Sequence, residues 1–309
     1  MPRVIFCFLE WMKPKRITHL AAGMISCCAA LPAAAQTNAS AVQIPVKLRE
    51  GDLMTQVRVN GSEPLSFKID TGFGVTTIHP KVVDQLQLTP NGHMIIVGIA
   101  GEERADTYGG LMFDFGGKTY EPRRVASLPS EARRRWRHRD GILGAGFFRR
   151  FVVEIDLSGH LMRLHEPKEF TYAGKGEVLP LEFKRDTPII DATIVAAGQP
   201  PLEGRFEIDT GCDDAVCVGH EFVEAHHLLA GGKSDPDFKR GVGGSARIQS
   251  GNLAELRLGK LTVKKPTSNY FLEGSPAGEG QAGHIGIGAL QSFRMIFDYS
   301  RKRLILEEK

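Results

Sequence analysis

Cysteine is scarce in this chain: of five, Cys7, Cys27 and Cys28 fall near the amino terminus, and only Cys212 and Cys217 lie beyond it. At most one bridge can join that pair, and two small buried apolar residues are the alternative reading. Excess charge is scarce as well. A formal net charge of +3 over 309 residues is too small to argue for nucleic-acid binding. Past the amino terminus no run is long and apolar enough to span a bilayer as a helix. His226-His227 has no carboxylate or cysteine at a ligand spacing, so no metal site is expected there. A chain that is 42% hydrophobic nevertheless has ample material for globular cores.

The amino terminus reads as an export signal over residues 1–35. Lys13, Lys15 and Arg16 form a positive region, residues 20–31 are mostly apolar, and Ala33-Ala34-Ala35 precedes Gln36 as a small-residue cleavage site. Met12 is an alternative start, since the first eleven residues fit the pattern poorly. This predicts a periplasmic or secreted protein, with an acylated Cys27 or an uncleaved leader as the routes to a membrane. Residues 36–43 read as a linker. The run Arg133-Arg134-Arg135-Trp136-Arg137-His138-Arg139 reads as a solvated insertion loop.

What the chain does contain is one phrase written twice. Residues 67–72 are Phe-Lys-Ile-Asp-Thr-Gly and residues 206–211 are Phe-Glu-Ile-Asp-Thr-Gly. Glycine segments follow at 98–101 and 241–244, and then Ile142-Leu143-Gly144 and His284-Ile285-Gly286. From there the two halves align without a gap, 144–166 on 286–308. The order and spacing define a tandem repeat, with units over 44–175 and 176–309. Apolar or alternating runs at Ile44–Leu48, Leu53–Val59 and Leu65–Ile69 recur at Val178–Phe183, Ile189–Val195 and Gly204–Ile208. Each Asp-Thr-Gly therefore ends a strand. One short helix per unit is expected, at His79–Leu88 and at Gly219–Leu229. Asp156 and Asp298 sit at hairpin corners and read as turn formers.

Two carboxylates brought together across a pseudo-twofold axis cannot both ionise easily. They share one proton, and the ionised member can activate a water while the protonated one polarises a carbonyl. The glycines allow close backbone approach, and the threonine hydroxyls can lock the two turns to each other. Asp70 and Asp209 are the candidate catalytic pair, supported by Thr71, Gly72, Thr210 and Gly211. Neither a cofactor nor a nucleophilic side chain is called for.

On these motifs the chain resembles the pepsin/retropepsin-type aspartic proteases, and in particular exported bacterial proteins that fuse two retropepsin-like units. The resemblance covers nearly all of 44–308. It implies a mainly-β, bilobal acid-protease fold of double-psi β-barrels, with two homologous lobes and a cleft between them. It implies that Gly98, Gly101, Gly241, Gly243 and Gly244 belong to flap hairpins over a bound polypeptide. Asp213 and Asp214, after the second motif, are implied to contact substrate. A single-chain dyad implies activity as a monomer. Phe73 and Cys212 stand where Ala or Ser is usual, and His284 where an apolar residue is expected. A protease-like module that binds peptide without cutting it, hindered by Phe73, is the alternative.

Overall fold

The computed structural model describes residues 41–99, 101–127, 138–229 and 237–309. The expected leader, residues 36–40 of the linker and 133–137 of the arginine run lie outside the described residues. The first strand already begins at Val42, so the linker reading of 36–43 runs two residues too far.

Three antiparallel strands open each half. Val42–Arg49, Asp52–Val59 and Leu65–Ile69 pair in order, with Met54 opposite Lys68 and Thr55 opposite Phe67. The second half repeats this with Glu182–Lys184, Thr187–Val195 and Leu202–Asp209. Tight turns hold the register: Glu50-Gly51 and Arg185-Asp186 both place two consecutive residues at positive φ, the geometry that matches strand twist. The run expected at Val178–Phe183 is two strands, because Glu177–Pro180 leaves to join another sheet before Glu182.

A strand from later in each half then inserts beside the strand that ends in Asp-Thr-Gly. Gly141–Leu143 runs parallel to Leu65–Ile69 and antiparallel to Thr77–Ile78. Gly283–Gly286 does the same between Leu202–Asp209 and Val216–Val218. The aspartate loops are thus supported from both sides by the chain's own sheet.

The expected helices are present but shorter, Pro80–Gln85 and His220–Ala225. Each stops where a following residue, Gln87 or His227, turns to positive φ. A second helix in each half, Ala145–Arg150 and Ile287–Leu290, corrects the expectation of one per unit. A glycine inside each segment, Gly146 or Gly288, and another just before it mask its helical signal, and burial of Phe147, Phe148, Ala289 and Leu290 overrides that weakness. Asp156 and Asp298 do form turns. The former accepts from the N–H groups of Ser158 and Gly159, the latter from Arg301 N–H.

The halves meet edge to edge. Val152–Asp156 pairs antiparallel with Phe293–Asp298, with Val153 opposite Phe297, Glu154 opposite Ile296 and Ile155 opposite Met295. Under the sequence alignment of the halves this register maps onto itself, so a pseudo-twofold axis passes through it. On either side the sheet continues through each half's own closing hairpin to Val42–Arg49 and to Glu177–Pro180. The fold is mainly β and bilobal.

Candidate active site

The two Asp-Thr-Gly loops face each other across that axis, tied by reciprocal bonds. Thr71 N–H donates to Thr210 Oγ1 (3.0 Å) and Thr210 N–H to Thr71 Oγ1 (2.9 Å). Each hydroxyl then reaches a strand carbonyl of the other half, Thr71 to Ile208 (2.6 Å) and Thr210 to Ile69 (3.0 Å). Both threonines are fully buried. Beneath the loops, Ala145 N–H donates to Phe73 C=O and Ile287 N–H to Cys212 C=O, each at 2.8 Å. A Cβ on Gly144 would collide with the Phe73 and Val75 carbonyls, and one on Gly286 with those of Cys212 and Asp214.

This clamp sets Asp70 and Asp209 side by side, near enough for the charge of Asp209 to act on Asp70. A Cβ on Gly72 would fall on the Asp209 carboxylate, and one on Gly211 on that of Asp70. The two acids are driven apart in proton affinity. Burial, and then the negative charge of Asp209, push Asp70 up to about 7 against the pull of Lys68. Burial also acts on Asp209, but contact with His284 and its charge, then Lys68 and the Gly211 N–H, outweigh it and hold the carboxyl at about 2. The Gly211 N–H donates to Asp209 Oδ1 at 2.8 Å.

Five charged residues behind the dyad were not anticipated as part of it. Lys68, 5% exposed, places Nζ 3.1 Å from Asp52, 3.6 Å from Asp70 and 2.5 Å from the Gly211 carbonyl. Arg139 pairs with the other oxygen of Asp52. Its assignment to a solvated loop is therefore corrected: the Asp52 carboxylate draws it inward. In the second half His284 lies 3.1 Å from Asp209 through Nδ1 and 3.0 Å from Glu207 through Nε2. The Nε2 contact is off the hydrogen-bond line, so it is chiefly ionic. Burial opposes protonation of His284, yet the two carboxylates raise its pKa well above the ordinary range. The signal was present in the sequence. Residues two apart on a strand share a face, so Lys68 and Glu207 had to point the same way as Asp70 and Asp209.

The glycine segments close the roof. Gly92–Gly98 with Gly101–Tyr108, and Asp237–Gly241 with Gly244–Asn252, are hairpins whose tips meet. Gly243 N–H donates to Glu103 Oε1 at 2.9 Å, and a Cβ on Gly98 would strike Val242. Gly101, Gly243 and Gly244 take φ of 145°, 83° and 137°, which bulkier residues resist. Asp213 and Asp214 both hold Lys239 of the second hairpin, Asp213 at 2.5 Å. Phe73 is half-buried on the wall beneath the first hairpin, against Ile96, Ala105, Ala126 and Ile142. Cys212 and Cys217 are free thiols with sulfurs 3.4 Å apart, so the bridge is not formed. His226 packs over Phe222, with ring centroids 4.3 Å apart.

Twin Asp-Thr-Gly loops, a cross-lobe threonine clamp and paired hairpins that meet tip to tip define the acid-protease class of fold. The comparisons with known proteins agree. Residues 55–147 match the family described as Aspartyl protease. The aspartic proteinase from Irpex lacteus has a similar structure, at 14% identity and a TM-score of 0.56, over 87% of this chain and 98% of that one. No curated protein sequence matches the chain. In fold the chain is similar to that aspartic proteinase, and over residues 55–147 its sequence is similar to the aspartyl protease family.

Proposed function

We propose that this chain is an aspartic endopeptidase that cleaves polypeptide in the cell envelope or outside the cell, acting as a monomer through Asp70 and Asp209. A water between the carboxyls gives its proton to the ionised Asp209, while Asp70 donates to the carbonyl oxygen of the scissile amide. The water oxygen bonds to carbon, forming a tetrahedral intermediate. Asp209 passes its proton to the leaving nitrogen, the C–N bond breaks, Asp70 takes back the proton from the former carbonyl oxygen, and acid and amine products leave. The hairpins at 98–101 and 241–244 cover an extended chain, with Asp213 and Asp214 beside its backbone.

The observation carrying this reading is the threonine-clamped pair of aspartates, each carboxylate lying against the glycine of the other loop, with proton affinities driven in opposite directions. The half-buried Phe73 on the cleft wall favours the second reading, a module that binds peptide without cutting it. A mixed peptide library incubated with the protein between pH 3 and pH 8 separates the two. Cleavage is expected, abolished by Asp70→Asn and by Asp209→Asn. Cleavage that survives either substitution refutes the dyad, and peptide binding without cleavage at every pH establishes the binding module.

A further inference from the structure

Aligned on their Asp-Thr-Gly loops, the halves differ where they back the dyad. Lys68 of the first half corresponds to Glu207 of the second, and Ile142 corresponds to His284. In each half these two positions are register partners on adjacent parallel strands. The first half therefore carries its cation on the aspartate strand, beside an apolar neighbour. The second carries an anion there and the cation on the neighbouring strand. We propose that His284 is a positioning residue that divides the labour of the dyad, holding Asp209 as the charged, water-activating member and leaving the shared proton on Asp70.

The geometry separates the two cations. Lys68 is nearer to Asp52 and to the Gly211 carbonyl than to Asp70, so its charge is shared among three acceptors. His284 touches Asp209 directly at 3.1 Å, and Asp209 accepts a further bond from Gly211 N–H. Both ring nitrogens of His284 face carboxylates. A neutral imidazole would present a lone pair to one of them, so the site selects the imidazolium. Glu207 in turn is fixed by the Gly278 N–H at 3.1 Å. The other group beside His284 is Cys217, its antiparallel register partner. At 7% exposure the imidazolium is poorly screened by water, so removing it changes the balance at Asp209 strongly.

The charge assignment stands apart from turnover, although its catalytic meaning rests on the protease reading. The test is a carbon-13 carboxyl NMR titration of Asp209 in the full chain carrying Asp70→Asn, so that the partner cannot share the proton. It is run with His284 intact and with His284→Gln. The Asp209 midpoint is expected to rise by about one pH unit or more in the His284→Gln protein, a tenfold or greater gain in proton affinity. An unchanged midpoint overturns the proposal. Should that protein fail to fold, His284→Gln with Glu207→Gln also removes the Glu207 carboxylate that would lose its partner and carries the same expectation. In a cleavage assay on the otherwise native dyad, His284→Gln should move the acid limb of the pH profile upward and restore rate toward neutral pH. A loss of equal size at every pH would reduce His284 to structural support and overturn its positioning role. A protein that cleaves nothing yet shows the NMR shift would sink the protease reading alone.

Discussion

Replacing Thr71 by valine keeps the shape of a side chain that is fully buried and removes one hydroxyl. That hydroxyl takes part in two bonds, donating to Ile208 C=O at 2.6 Å and accepting from Thr210 N–H at 2.9 Å. Both former partners are left facing a methyl group in a site closed to water. A buried polar group left unpaired costs about 1–3 kcal/mol, so the two together should cost about 2–6 kcal/mol. Whole-protein stability is of order 5–15 kcal/mol, so the variant should fold with a clearly lowered urea midpoint. The clamp supplies its own control. Thr210→Val removes the mirror pair of bonds, to Ile69 C=O and from Thr71 N–H, and should cost the same within about 1 kcal/mol. Urea unfolding of wild type and the two single variants, followed by tryptophan-independent far-UV circular dichroism, measures both quantities. A loss below about 1 kcal/mol in either variant, or two clearly unequal losses, would refute the reasoning that the clamp is a symmetric, water-free lock.

Two further outcomes follow from the split dyad. Turnover needs Asp70 protonated and Asp209 ionised, which holds between about 2 and about 7, so a pH–rate profile on any cleaved peptide should keep high rates into mildly acidic and near-neutral solution and fall on an alkaline limb near 7. The second outcome concerns stability. The folded-state pKa of Asp70 is raised from 3.8 to about 7, so its contribution is fully present below 3.8 and is lost as pH rises through about 7. Asp70→Asn cannot ionise and should therefore be more stable than wild type at pH 8, with the advantage gone at pH 4, as read from thermal midpoints at the two values.

Much of this arrangement was legible in the chain because it is local. Strands Leu65–Ile69 and Asp52–Val59 lie where alternation placed them, to within a residue. The threonine clamp followed from the repeat itself, since two identical turns on a twofold axis can only reach each other. The short helices after Gly144 and Gly286 were hidden because their stability comes from tertiary burial of Phe147, Phe148 and Leu290 rather than from propensity. Arg139 was hidden for a related reason. Sequence places it in a basic run, and only the fold brings the carboxylate of Asp52 within its reach. His284 stood out as a departure from an apolar pattern, but its partners lie some 75 residues earlier on another strand, a distance that a linear reading does not bridge.

The sheet across the axis has a consequence for how such a site can change. Were the two halves separate copies of one polypeptide, any substitution beside one aspartate would be copied beside the other, and both acids would see the same surroundings. Val152–Asp156 and Phe293–Asp298 instead join halves that occupy different stretches of one gene. Each position is then free to mutate without its twin. The lysine at 68 facing a glutamate at 207, and the isoleucine at 142 facing a histidine at 284, are differences that a symmetric assembly could not encode. A single chain thus does more than secure a one-to-one pair: it lets the two aspartates keep different surroundings in every molecule.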